Sequence, residues 1–244
     1  MESNGRRPRT FSGASIGQLG TGSVEATGEH FVVHAYSDSH AHRTLQLAES
    51  IYEDVISETG AENFTQSEPY HLFVFENLIE LQDKSGLPSW ATGGIVDGAI
   101  ATYDDPTVIP AAVTHFTTHL IYGGLMGALD ERTRWVGEGL ATHLERRQSQ
   151  RTAPPELQRY ESSVPFREMT QLPPLDERNR KTNSWYRQVG NVVGYMLDRG
   201  GRLGFADFIS ALQSGASLDE AVGRGYPQLW HNMEELEKQW NENR

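Results

Sequence analysis

Cysteine is absent from this 244-residue chain. Its absence excludes disulfides, thiolate zinc knuckles, iron–sulfur clusters and cysteine nucleophiles. It leaves the compartment open, since a chain without thiols tolerates oxidising and reducing surroundings alike. Long apolar runs are missing too. No stretch approaches the roughly 18 residues of a membrane span, and the opening MESNGRRPRTFSGASIGQLG has basic residues but no apolar segment of a signal peptide. Basic residues are in deficit, 21 Lys and Arg against 33 Asp and Glu, which gives a formal charge of −12. A surface of that sign repels phosphate backbones and anionic lipid, so neither nucleic acid nor membrane is an expected partner. The expectation is a soluble protein whose compartment is left open, the cytoplasm slightly favoured.

What is present suits an ordinary globular domain large enough to bury a sizeable core. Residues 1–28 are rich in Gly, Ser, Thr and Arg without a period and read as a flexible tail, or at most an edge segment. Residues 29–244 read as one domain, with 29–130 carrying the sheet and the helix of His115 and His119, and 131–244 helical. His30 to Tyr36 and Tyr70 to Glu76 have strand composition, and Ala91 to Tyr103 reads as one glycine-rich strand. Helical spacing covers Arg43 to Glu58, Asn77 to Lys84, Val108 to Leu129 and Arg134 to Arg147. Gln148 to Lys181, polar and with five prolines, reads as a long surface loop. Helices come next over Ser184 to Asp198, stopped by Gly200 and Gly201, then Leu203 to Leu212, Leu218 to Val222 and Leu229 to Trp240. Strands first and helices after predict an α+β fold, a small twisted sheet packed on helices.

The chemistry concentrates in two helices. HFTTH places His115 and His119 four apart, hence on one helical face, where both imidazoles can reach one metal ion. Nine histidines would produce roughly 0.3 such pairs by chance, so the pair alone decides nothing. The next helix reads WVGEGLATHLE, and 18 residues separate His119 from Glu138. That length allows the chain to reverse and return a carboxylate to the histidines, giving two nitrogens, one oxygen and an open fourth position. Glu138 sits among Trp135, Gly137, Gly139, Leu140 and Ala141, residues that pack, and a charge in packed surroundings has a partner. His143, five residues beyond Glu138 and about 500° of helical rotation away, is expected at the surface, a fourth-ligand role being the alternative. His30, His34, His40, His42, His71 and His231 have no supporting spacing, and His40 and His42 are expected in solvent.

These segments resemble the peptidase MA-like gluzincins, the zincin-like metallopeptidases related to thermolysin and the aminopeptidases. In that group a zinc helix HExxH is followed, commonly after 18 residues, by a helix beginning W-x-x-E-G-L-A. The matching segments here are His115 to His119 and Trp135 to Ala141, and weaker likeness extends from Glu29 to Trp240. The resemblance implies a zincin-like fold, Zn2+ on His115, His119 and Glu138, and a peptide or small-molecule substrate in the zinc cleft. It also implies that Gly93 and Gly94 open the substrate-binding edge strand and that Tyr186 donates a hydrogen bond to a developing oxyanion. An aromatic packed between helices is the plainer reading of Tyr186, and a bulge or bend that of the glycines.

Two departures separate the chain from the pattern. The general-base glutamate is replaced by Phe116, which can neither take a proton from the attacking water nor pass one to the leaving amine. One turn after Glu138, where the family often has an acidic residue orienting a zinc histidine, stands Thr142. Three readings stay open: a zinc enzyme using the metal as a Lewis acid with altered or weakened hydrolytic chemistry, a noncatalytic peptide- or protein-binding pseudopeptidase with structural zinc, or an inherited fold without metal.

Overall fold

A computed structural model describes residues 23–62, 64–127, 131–152, 163–171 and 180–243. Among them the chain is α+β. Five strands form one open mixed sheet: β1 (Val24–Thr27), β2 (Phe31–Ala35), β3 (Tyr70–Phe75), β4 (Gly93–Val96) and β5 (Ala99–Tyr103), in the order β1-β2-β3-β5-β4. The helices are α1 (Asp38–Thr59), α2 (Leu78–Ser85), α3 (Ile109–Met126), α4 (Arg134–Thr152), α5 (Phe166–Met169), α6 (Arg180–Gln213), α7 (Leu218–Gly225) and α8 (Met233–Glu242). No described helix is long and apolar enough to cross a membrane.

The described residues divide into two compact units, each drawn from three stretches. One takes its residues from Met1–Val55, Thr65–Leu120 and Glu145–Ala153; the other takes them from Ile56–Phe64, Ile121–Leu144 and Pro154–Arg244.

The first unit is built on the sheet. β2, β3 and β5 run parallel, while β1 and β4 close the two edges antiparallel. Residues 24–27, read from sequence as tail or edge segment, are the edge strand β1. The single strand expected over Ala91 to Tyr103 is a hairpin. Asp97 and Gly98 both take positive φ, 50° and 82°, as a two-residue hairpin turn requires, and an Asp-Gly pair is the sequence that supplies it. α1 begins five residues earlier than expected because Ser37 organises its start, its carbonyl accepting the Ala41 N–H. Glu49 of α1 accepts the backbone N–H groups of His30 and Phe31 at 2.9 and 3.1 Å and takes His30 Nδ1 at 2.7 Å. His40, expected in solvent, instead pairs with Asp104 just beyond β5 at 3.0 Å, whereas His42 is exposed. Asn77 caps α2, accepting from the Glu80 N–H at 3.0 Å. Phe75, Leu81, Leu87, Ala91, Val96 and Ala101 form one core with α2.

The second unit is helical. α6 is two helices joined at Gly201, whose φ of 71° and ψ of 172° break the helix where the Gly200–Gly201 stop was expected. α7 starts on a capping box: Ser217 and Glu220 exchange side-chain bonds with each other's N–H groups. The stretch read as a long surface loop is partly structured. Gln148–Thr152 belong to α4, and Phe166 and Met169 of α5 are buried. Trp185 Nε1 donates to the Met169 carbonyl at 2.9 Å, and Gln188 brackets the backbone of Val164 with two bonds. Residues 153–162 and 172–179 of that stretch lie outside the described residues.

Candidate metal centre

In the first unit, Asp105 organises the approach to α3. Its side chain accepts the Thr107 N–H at 2.8 Å, and its carbonyl accepts the N–H groups of Val108 and Ile109. Along α3 the hydroxyls of Thr114 and Thr118 return to the carbonyls four residues back, at 2.8 and 2.7 Å, so these polar groups are satisfied within the helix. His115 and His119 remain on one face, half-buried, with Nε2 atoms 3.1 Å apart and ring planes 66° apart.

Glu145 of α4 lies with Oε2 2.8 Å from His115 Nδ1. A carboxylate accepts only, so this contact assigns the proton of a neutral His115 to Nδ1 and leaves the Nε2 lone pair directed toward His119. Sequence reasoning sought this support at position 142 and missed Glu145. The signal was present: Glu145 comes seven residues after Glu138, two helical turns, so both occupy the same face of α4.

Phe116 stands edge-on to the His115 ring, with centroids 5.1 Å apart. A Cβ at Gly93 would come within 3.0 Å of Phe116 Cε2 and 2.9 Å of the Ala101 carbonyl. Gly93, on the edge strand, therefore gives up its side-chain space to the benzyl ring. Gly94 points to the other face, where a Cβ would strike Leu87 of the α2 core. Of the two glycines, only Gly93 borders α3 through Phe116.

The second unit carries Glu138 on α4, half-buried between residues that are wholly buried: Trp135, Val136, Leu140 and Ala141. The flanking glycines admit neighbours. A Cβ at Gly137 would lie 2.8 Å from the Tyr122 ring, and one at Gly139 only 2.6 Å from the Val189 carbonyl of α6. Tyr122 also donates its hydroxyl to the Thr133 carbonyl at 3.1 Å. Thr142 packs against Gly190. His143, expected at the surface, is buried, 6% exposed, with its ring in the space left by Gly194. The rotation away from Glu138 turns it toward α6, not toward water. Tyr186 lies half-buried on α6, edge-on to Trp185 at 5.0 Å.

No protein-family model and no curated protein matches the chain.

Proposed function

We propose that the chain is a zincin-like zinc protein of gluzincin type in which His115, His119 and Glu138 hold one Zn2+ with the fourth position open. The observation that carries this reading is the His115–His119 pair. Two Nε2 atoms 3.1 Å apart, each about 2.0–2.1 Å from a shared ion, subtend an angle of about 100°, close to tetrahedral. The Glu145 bond at His115 Nδ1 is the arrangement that orients zinc-ligating histidines and raises their basicity. The proposed third ligand is the Glu138 carboxylate. An N,N,O donor set with no thiolate suits zinc. The antiparallel edge strand β4, with Gly93 facing Phe116, supports the zincin-like comparison.

Zinc bound there supplies Lewis acidity toward a carbonyl and lowers the pKa of a water to about 7. The residues around the ion set the reaction it can support. Phe116 moves no proton, and losing one general base typically costs about 10²–10⁴ in rate. Phe116 of α3 and Gly93 of β4 wall the proposed zinc cleft with apolar surface for a peptide or small-molecule substrate, with Gly94 next to Gly93 on the same strand. Tyr186 is the candidate donor to a developing oxyanion. The leading reading is therefore a metallopeptidase-derived zinc enzyme, of hydrolase ancestry, with altered or weakened hydrolysis. Phe116 filling the space beside Gly93 favours one alternative, a noncatalytic pseudopeptidase that binds peptide.

The discriminating experiment is Phe116→Glu, assayed on a peptide library beside the parent. Peptidase activity gained by the variant supports a peptide-shaped cleft that lost only its proton shuttle. A native activity that falls in the variant assigns Phe116 to a different reaction. No turnover in either protein contradicts the enzyme reading and leaves peptide binding.

A further inference from the structure

The sheet of the first unit joins two histidines that the zinc reading does not use. β2 and β3 run parallel with Val32 opposite His71 and His34 opposite Phe73. Strand alternation then puts Phe31, Val33, Leu72 and Val74 on the buried face, and His34, His71 and Phe73 together on the other. His34 Nε2 and His71 Nδ1 are 2.9 Å apart, with ring centroids 5.2 Å and planes 16° apart. The rings therefore meet edge to edge, in line for one N–H···N hydrogen bond. Phe73 lies flat against His34, centroids 4.3 Å and planes 9° apart, which restrains that ring. His71 is exposed, so water can take over its ring nitrogens when the bond opens.

Such a bond needs a single proton on the line between the two nitrogens. A neutral pair meets that condition, one ring donating and the other accepting. A pair with one added proton meets it too, the imidazolium donating. A second added proton puts N–H on both nitrogens, removes the acceptor and sets two like charges side by side. We propose that the His34–His71 contact is a proton-operated clasp between β2 and β3, closed through the first added proton and opened by the second. On the strands flanking β2, the titratable groups that face His34 are Glu25 of β1 and His71 of β3. Glu25 stands opposite His34 in the β1–β2 ladder with Oε2 3.6 Å from His34 Nδ1, so it acts by charge and not by a hydrogen bond. Burial holds the His34 imidazole below its ordinary 6.5; the Glu25 charge opposes this and His71 adds to it. The second proton therefore enters on the acid side of 6.5, where histidines of the unfolded chain already carry theirs. The clasp stabilises the fold above that pH, and its contribution is lost as pH falls below it.

The test compares the full chain with His71→Gln and His71→Thr, neither of which titrates at position 71, circular dichroism confirming the fold of both. Imidazole resonances are followed by nuclear magnetic resonance across the acid range, with His34→Gln identifying the His34 signal. In the parent, His34 is expected to titrate in two steps shared with His71. In both variants it should titrate in one step at higher pH. Hydrogen-exchange protection of the β2 and β3 amides, measured between about pH 7 and pH 5, should fall in the parent relative to the variants by up to about tenfold per pH unit, the limit for one linked proton. The same single midpoint for His34 in all three proteins, or protection that changes with pH identically in them, would overturn the clasp and leave the pair a fixed hydrogen bond.

Discussion

His115 Nδ1 and Glu145 Oε2 lie 2.8 Å apart, on α3 and α4, residues separated by 30 positions in the chain. In the proposed zinc site the bond would do for His115 what the resemblance expects of an acidic residue at position 142. Removing it would keep the three proposed ligands but free the ring to rotate and change tautomer. Glu145→Ala is expected to weaken zinc affinity about 10–100-fold, and Glu145→Gln by less because its carbonyl still accepts. Competition against a chromogenic chelator reads the difference; equal affinities in all three proteins would remove Glu145 from the site.

A second prediction concerns the helix that carries Glu138. Gly139→Ala places a methyl group 2.6 Å from the Val189 carbonyl, a backbone atom that cannot swing aside. Overpacking of this kind costs about 1–3 kcal/mol, more than the helix propensity of up to about 1 kcal/mol that alanine contributes. The variant should therefore have a lower urea midpoint than the parent. A gain in stability would show that α4 and α6 are not in the close approach described.

Much of this was legible in the residues, and the parts that were not have physical reasons. The four-residue spacing of His115 and His119 and the break at Gly201 come from local geometry, and the structure has both. Asp97-Gly98 carried a hairpin signal that apolar residues on either side obscured, so two strands read as one. Gln148 to Lys181 looked polar throughout, yet Phe166 and Met169 are core residues whose partners lie on α6 and α8. His143 has no periodic signal of burial; its space is provided by Gly194, 51 residues on. The His34–His71 pair depends on the register of two parallel strands separated by a helix, which no window of sequence contains.

The start of α7 tests local stability independently of any metal. Ser217 Oγ accepts the Glu220 N–H at 3.3 Å, and Glu220 returns to the Ser217 N–H at 2.9 Å. Ser217→Ala is expected to cost about 1 kcal/mol, read from chemical denaturation. Loss of less than a few tenths would mean that the box contributes nothing beyond solvation.

Acid stability should depend on Glu80. Partial burial tends to raise its carboxyl, but hydrogen bonds from Lys84, Tyr36 and the Glu76 N–H outweigh this and hold it below the ordinary 4.5. A carboxyl depressed in the folded state contributes stability that is complete above its unfolded value and is lost as pH falls through the folded one. Glu80→Gln should therefore be less stable than the parent at neutral pH, with the difference shrinking as pH falls below about 4.5. A gap independent of pH over that window would contradict the assigned network.

The claim on which the functional reading rests is that two imidazoles and one carboxylate share a cation. Its most direct test is zinc content per chain after equilibration with Zn2+ and gel filtration, measured for the parent, His119→Ala and Glu138→Ala in the same buffer. One tightly held zinc per parent chain, lost in His119→Ala and sharply reduced in Glu138→Ala, is the predicted outcome. Equal zinc in all three proteins, or none in the parent, would contradict it.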